Sequence, residues 1–257
     1  MENSLSGDLA AVFPGDPRFW WLAAAAVLAG LVRGFSGFGA AMIFLPLAGM
    51  VVRPEVAVPL LFVADNLATL HITLPSFRRC CWAEILPLAA GATLTIPLGV
   101  AVLVAADPET MRWAISLMIL VAVALLAGGW RLEKALPLYG TAAVGGLAGL
   151  AGGAASLYGP PLILFWLGGR SGAAQVRDNI YAVFGLLSVA AGITQWLHGL
   201  LTLDVLRVAA LLLPVYLLGT VVGARLFRGA SEAQYRWAAL GLCGLVALAG
   251  LPLWQQF

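Results

Sequence analysis

The chain has 257 residues, of which 62% are hydrophobic and only 10% charged, with a mean hydropathy of +0.98. A soluble domain of this length cannot hide that much apolar surface, so a water-soluble fold is excluded. Fourteen Lys and Arg against twelve Asp and Glu leave a formal charge of +2, which excludes an electrostatic partnership with nucleic acid. The segment 1–17 carries Glu2, Asp8 and Asp16 without a basic start, so it reads as a tail rather than a cleaved signal peptide. Cys80, Cys81 and Cys243 have neither a disulfide framework nor metal-ligand spacing, and read as filler.

Apolar segments follow at 20–33, 38–52, 55–75, 82–106, 111–130, 136–149, 156–168, 174–197, 203–227 and 234–254. Three in each half (55–75, 82–106, 111–130; 174–197, 203–227, 234–254) have about the twenty residues a helix needs to cross the hydrocarbon core. The other four are short. Residues 20–52 as one helix would reach about 50 Å against a core of about 30 Å, so this stretch must break. The break falls on Arg33-Gly34-Phe35-Ser36-Gly37-Phe38-Gly39, where glycines weaken the helix. Pro46 follows twelve residues after Gly34, and the second half repeats the layout with Gly149-Leu150-Ala151-Gly152-Gly153 and Pro161. At this offset Gly30, Gly34, Gly37, Ala40, Pro46 and Leu47 match Gly145, Gly149, Gly152, Ala155, Pro161 and Leu162. Further on, Gly99 and Arg112-Trp113-Ala114 match Gly223 and Arg236-Trp237-Ala238, the mark of an internal duplication.

The expected fold is an all-α polytopic membrane protein of two repeats, 18–134 and 135–257, each a broken helix pair followed by three transmembrane helices. The count of basic residues decides their relation. If each broken pair makes an even number of crossings, Arg78, Arg79, Arg131, Lys134, Arg170, Arg177, Arg225, Arg228 and Arg236 fall inside. Only Arg18, Arg53, Arg112 and Arg207 then fall outside. A single crossing per pair gives a nearly even split, against the positive-inside preference. The repeats are therefore expected to be inverted, in a plasma (inner) membrane, with the N-terminus outside.

Inverted repeats with broken helices are a plan of secondary transporters. A helix that starts inside the membrane presents unpaired amides and a partial positive charge, a seat for an anion. Residues 37–40 and 156–158 are the expected starts, although glycines in such places also serve close helix packing. An ionisable side chain within a span is costly unless paired or functional. Arg33 reads equally as an anion ligand or as the partner of a helix C-terminus or of Asp65. Asp65 and Asn66 sit mid-segment, where an acid either carries a coupling proton or neutralises an arginine. Arg177, Asp178 and Asn179 lie near an interface, where an arginine snorkels. Ser36, Ser156 and Tyr158 flank the breaks and either donate to a bound oxyanion or cap their own backbone. His71 and His198 read as interfacial, Thr93, Thr95 and Gln195 as bridges between helices, and Trp20, Trp21, Trp82, Trp130, Trp196 and Trp254 as interface anchors.

The run Gly34-Phe-Ser-Gly-Phe-Gly39 leading to Pro46, with Gly149-Leu-Ala-Gly-Gly153 leading to Pro160-Pro161, resembles the paired glycine-proline signatures of the TauE/SafE sulfite exporter family. The likeness covers nearly all of the chain after residue 18, though Phe38 stands where that family usually has a small residue. The resemblance implies a transporter of small sulfur-containing anions such as sulfite, sulfonates or sulfoacetate. Its expected substrate contacts are Arg33, Gly34, Ser36, Gly37, Phe38, Gly39, Gly152, Gly153, Ser156 and Tyr158. Asp65, Asn66, Arg177 and Asn179 are expected to be coupling or structural groups. The partners implied are the anion and the bilayer, with a homodimer left open; no cofactor, metal or enzyme activity is expected. The alternatives are an anion channel and a carrier of non-sulfur organic anions.

Overall fold

The computed structural model describes residues 12–129, 136–167, 172–226 and 232–252. Trp130, Arg131, Lys134, Arg170, Arg228 and Trp254 lie outside these, as do the side chains of Ser36 and Arg236. The described residues form only helices: α1 Pro17–Ser36, α2 Ala40–Ala48, α3 Pro54–Ser76, α4 Trp82–Ala105, α5 Pro108–Ala127, α6 Leu138–Ala155, α7 Gly159–Leu167, α8 Ala173–Leu197, α9 Leu203–Leu226 and α10 Glu232–Ala249. Six of them, α3 to α6 with α8 and α9, are long and apolar enough to cross a membrane. Of the expected span at 234–254, α10 supplies an apolar helix over Leu240–Ala249 among the described residues.

Local chemistry sets the helix ends. Asp16 caps α1, accepting from the Arg18 amide at 2.8 Å, and Pro17 follows at the first helical position. The Arg18 side chain beside it holds the Asp16 carboxyl below its usual range by hydrogen bonding. α1 then runs through Arg33 and Gly34 to Ser36, three residues beyond the apolar segment 20–33. It stops because Gly37 turns to φ 75°, followed by Gly39 at φ 88°, a left-handed conformation that only glycine adopts without strain.

The second break is displaced. Gly149 to Gly153 do not interrupt the chain: α6 is helical through them to Ala155, and the break falls on Ser156-Leu157-Tyr158. At the repeat offset Gly37 and Gly39 correspond to Gly152 and Ala154; Gly152 stays helical although glycine can turn left-handed, and the Cβ of Ala154 penalises such a turn two residues on. The helix continues until Ser156 takes φ 51°. This corrects the expectation of a short segment at 136–149, and explains why α6 counts among the six long helices.

Each broken pair is a hairpin that returns toward the end from which it started. Trp21, near the start of α1, donates its indole N–H to the carbonyl of Leu47 near the end of α2, at 2.8 Å. In the second pair, Trp166 at the end of α7 donates at 2.8 Å to Glu84 at the start of α4. That region of α4 also packs on the beginning of α6, with Gly145 against Leu88.

The chain divides into two compact units that interleave along the sequence. One contains α1, α2, most of α3, α5, α9 and α10; the other contains the end of α3, α4, α6, α7 and α8. In the first, Gly30 and Gly34 of α1 abut the carbonyls of Tyr216 and Thr220, and Gly223 abuts that of Leu31. The registers rise together, so α1 and α9 run parallel. In the second, Gly145, Gly149 and Gly153 of α6 abut the carbonyls of Leu88, Ala92 and Ile96, again a parallel pair. Small residues let these backbones approach closely. Thr95 reinforces the second pair by donating across it to Gly146 at 2.7 Å, the bridging role expected of it.

Candidate functional site

In the first unit the break is organised around Arg33, buried to 3% exposure in the last turn of α1. Its Nε donates to Asp65 Oδ1 at 2.7 Å and its Nη1 to the carbonyl of Gly37. The Tyr216 hydroxyl donates to the same carboxylate oxygen at 2.6 Å. The guanidinium thus serves as partner both to a helix C-terminus and to Asp65, and ties α1, α3 and α9 together. Asn66 turns back to the carbonyl of Phe62 at 2.7 Å in its own helix.

The supply of free amides at this break is smaller than the glycines imply. The Gly37 amide bonds the Arg33 carbonyl at 2.9 Å, and Gly34 is helical against Thr220. Phe38 and Gly39 form the turn. α2 then opens with Ala40-Ala41 and no proline before Pro46; the Met42 amide bonds the Gly39 carbonyl at 3.1 Å, and the amides of Ala40 and Ala41 are those without an intrahelical acceptor.

In the second unit the chemistry differs. α7 opens Gly159-Pro160-Pro161, and the two prolines bring no N–H to its first turn. The amides of Gly152 and Gly153 belong to the interior of α6. Hydroxyls take the place of amides: the Ser156 and Tyr158 oxygens are buried without a hydrogen-bond partner among the described residues. The Tyr158 ring lies directly over Gly152, where any Cβ would overlap it, with the Phe184 ring 6.2 Å away.

A second polar cluster in this unit is knit together by hydrogen bonds. The fully buried Asn179 accepts from the Cys81 amide at 2.8 Å and donates to Glu84 at 2.9 Å. Gln175 donates to Asn179 at 3.0 Å. Asp178 pairs with Arg79 at 3.1 Å and accepts from Ser76 at 3.2 Å. Arg177 is exposed, with its guanidinium 5.9 Å from the Tyr181 ring centroid. Replacing Asn179 with leucine orphans the Cys81 amide and one contact of Glu84. The expected cost is about 1–3 kcal/mol, read as a lower thermal midpoint in detergent; an unchanged midpoint would remove Asn179 from this supporting role.

The Asp65-Asn66 and Asp178-Asn179 doublets each follow a valine two residues earlier, a repeat signal that marks both clusters. Tyr216 and Glu84 are the contributors that sequence reading misses. Tyr216 is signalled only by a phenol deep within the apolar stretch 203–227, and Glu84 by an acid just inside 82–106.

The family model of sulfite exporter TauE/SafE matches residues 22–250, a stretch that includes both helix breaks. The chain belongs to the TauE/SafE family. As a TauE/SafE protein with six membrane-spanning candidates among its described helices, it is a multi-pass membrane transporter. Comparison with curated proteins and with solved structures found no match. Within the TauE/SafE match fall Arg33, Asp65, Ser156, Tyr158 and Tyr216, the polar groups gathered at or beside the two breaks.

Proposed function

We propose that this TauE/SafE protein is a secondary transporter that moves small sulfur-containing anions, such as sulfite and sulfonates, across the plasma (inner) membrane. The site opens to one side of the bilayer at a time, and substrate meets the protein at the helix breaks. The observation that carries this reading is the pair of buried, unpartnered hydroxyls of Ser156 and Tyr158 at a helix interruption within the membrane. A buried hydroxyl without a partner destabilises the fold, so its retention calls for a ligand that completes it. An oxyanion does so, because it accepts hydrogen bonds at every oxygen.

The hairpins support the inverted arrangement of the repeats 18–134 and 135–257. A pair that returns to its own side leaves three crossings per half, an odd number, and the basic-residue distribution then puts the N-terminus outside. Within its own unit, the first break offers an anion the α2 amides, with Arg33 holding the end of α1 in place.

The test is the double variant Ser156→Gly with Tyr158→Phe, assayed by sulfite counterflow in proteoliposomes. Glycine suits the left-handed conformation at 156. Removal of two orphaned hydroxyls leaves the thermal midpoint unchanged or raised. Transport is expected to fall by about tenfold or more, the loss of one or two hydrogen bonds to a charged ligand. Undiminished counterflow would remove these hydroxyls from the substrate path, and absence of saturable counterflow in the parent protein would point to a channel.

A further inference from the structure

Where α3 turns into α4 and α8 begins, the second unit gathers positive charge that its carboxylates do not match. Arg78, Arg79 and Arg177 are all exposed there. Asp178 is held by the Arg79 guanidinium at 3.1 Å and by Ser76 at 3.2 Å, and Glu84 by Trp166 and Asn179. Among the described residues, Arg78 and Arg177 are left with no carboxylate against them. Arg177 instead meets the Tyr181 ring, whose centroid lies 5.9 Å from its guanidinium. A fixed seam carries both arginines. Gln175 donates to the Arg79 carbonyl at 2.9 Å and Asn179 accepts from the Cys81 amide at 2.8 Å, so the α3–α4 turn is stitched to the first turns of α8. Arg78 and Arg177 are the chain neighbours of the paired Arg79 and Asp178, and leave the backbone at this one seam.

The start of α8 adds a third positive feature. Its N-cap is the exposed Gly172, which offers no side-chain cap, and its first hydrogen bond runs from the Val176 amide to the Gly172 carbonyl at 3.0 Å. The amides ahead of Val176 have no intrahelical acceptor, and a helix start carries roughly half an elementary charge. We propose that this end of the second unit binds the headgroup of an anionic phospholipid, its phosphate drawn to Arg78, Arg177 and the start of α8. A guanidinium grips two phosphate oxygens at once. The surroundings favour a lipid over a soluble anion. Trp82 at the start of α4 is 43% exposed and stacks on Phe77 with ring centroids 6.1 Å apart, an indole placed as membrane-interface anchors are. Leu74 near the end of α3 and Leu86 in the second turn of α4 are exposed as well, which gives acyl chains apolar surface close to the charges. In the orientation proposed above this end meets the inner leaflet, where basic surfaces find anionic lipid. No residue of the helix breaks takes part, so the site stands or falls apart from the transport reading.

The full chain is equilibrated in mixed micelles holding equal amounts of phosphatidylglycerol and phosphatidylcholine, and the lipid retained after washing in lipid-free detergent is counted by mass spectrometry. Both lipids carry a phosphodiester, but only the first has a net charge. Retention of phosphatidylglycerol is expected to exceed that of phosphatidylcholine by about tenfold or more, the scale two arginines supply. The double variant Arg78→Gln with Arg177→Gln is expected to lose most of this preference while keeping its thermal midpoint in lipid-free detergent. Equal retention of the two lipids by the parent protein would overturn the proposal. A preference that survives in the folded double variant would do the same, by assigning it to other basic residues. Displacement of phosphatidylglycerol by inorganic phosphate at matched concentration would make this a seat for soluble anions and overturn the lipid assignment. If the double variant does not purify, Arg78→Gln alone carries the test: a severalfold fall in the preference is expected, and no fall overturns the site.

Discussion

Arg33→Gln is expected to lose about 3–5 kcal/mol of stability, because it takes the cation away from the Asp65 carboxylate beside a buried helix end, where the Tyr216 hydroxyl is a neutral partner. The sequence leaves an anion-ligand role open for Arg33, under which the same variant would stop transport in intact protein. The structure predicts an earlier failure, seen as loss of the monodisperse species in detergent. The double variant Arg33→Gln with Asp65→Asn separates the two roles. It removes both charges of the pair, leaves neutral groups able to hydrogen-bond, and is expected to recover most of the lost stability. If the double variant is folded and transports, Arg33 is a strut. If it is folded and inactive, Arg33 also contributes to the substrate path.

Gly149→Val is the second large effect. A Cβ at Gly149 would collide with the Ala92 carbonyl and the Thr95 hydroxyl, so the substitution forces α4 and α6 apart. Overpacking alone costs about 1–3 kcal/mol. Separation of the helices also breaks the Thr95 to Gly146 hydrogen bond and loosens the contacts of Gly145 and Gly153 along the same seam. Protein yield and thermal midpoint should both fall steeply, and transport with them. Gly241→Ala is the matched control, because nothing lies within 4 Å of a Cβ there. Equal behaviour of the two variants would show that the glycine seam does not hold the unit together.

The helical membrane fold was legible because it depends on quantities that a sequence carries directly: apolar length, hydropathy and the placement of charge. The helix start expected within 37–40 was legible too, at Ala40, and the one expected at 156–158 falls one residue beyond, at Gly159. The role of Gly149 to Gly153 was not. Glycine serves two opposite ends in a membrane helix, interrupting it or letting another backbone approach, and only the presence of α4 decides for the second. Gly152 matches the Gly37 that ends α1 and yet stays helical, so the glycine pattern by itself does not mark which residue turns. Arg33 illustrates another limit. Its two readings differ in where Asp65 lies, 32 residues away in sequence, and sequence periodicity carries no record of that distance. The orphaned hydroxyls are likewise invisible before the fold is known, since any serine or tyrosine can find a partner nearby.

The parallel pairing of α1 with α9 has a consequence for biogenesis. About 170 residues separate the end of α1 from the start of α9, so at ordinary rates of synthesis α1 waits roughly ten to thirty-five seconds for the surface that covers its glycines. During that interval its Arg33 lacks the hydroxyl of Tyr216 beside its Asp65 partner. The nascent chain must hold a polar, glycine-lined helix at the membrane with its final neighbour not yet made. Early helices therefore insert first and pack later, and about the last fifth of the polypeptide acts as the clasp that closes on α1.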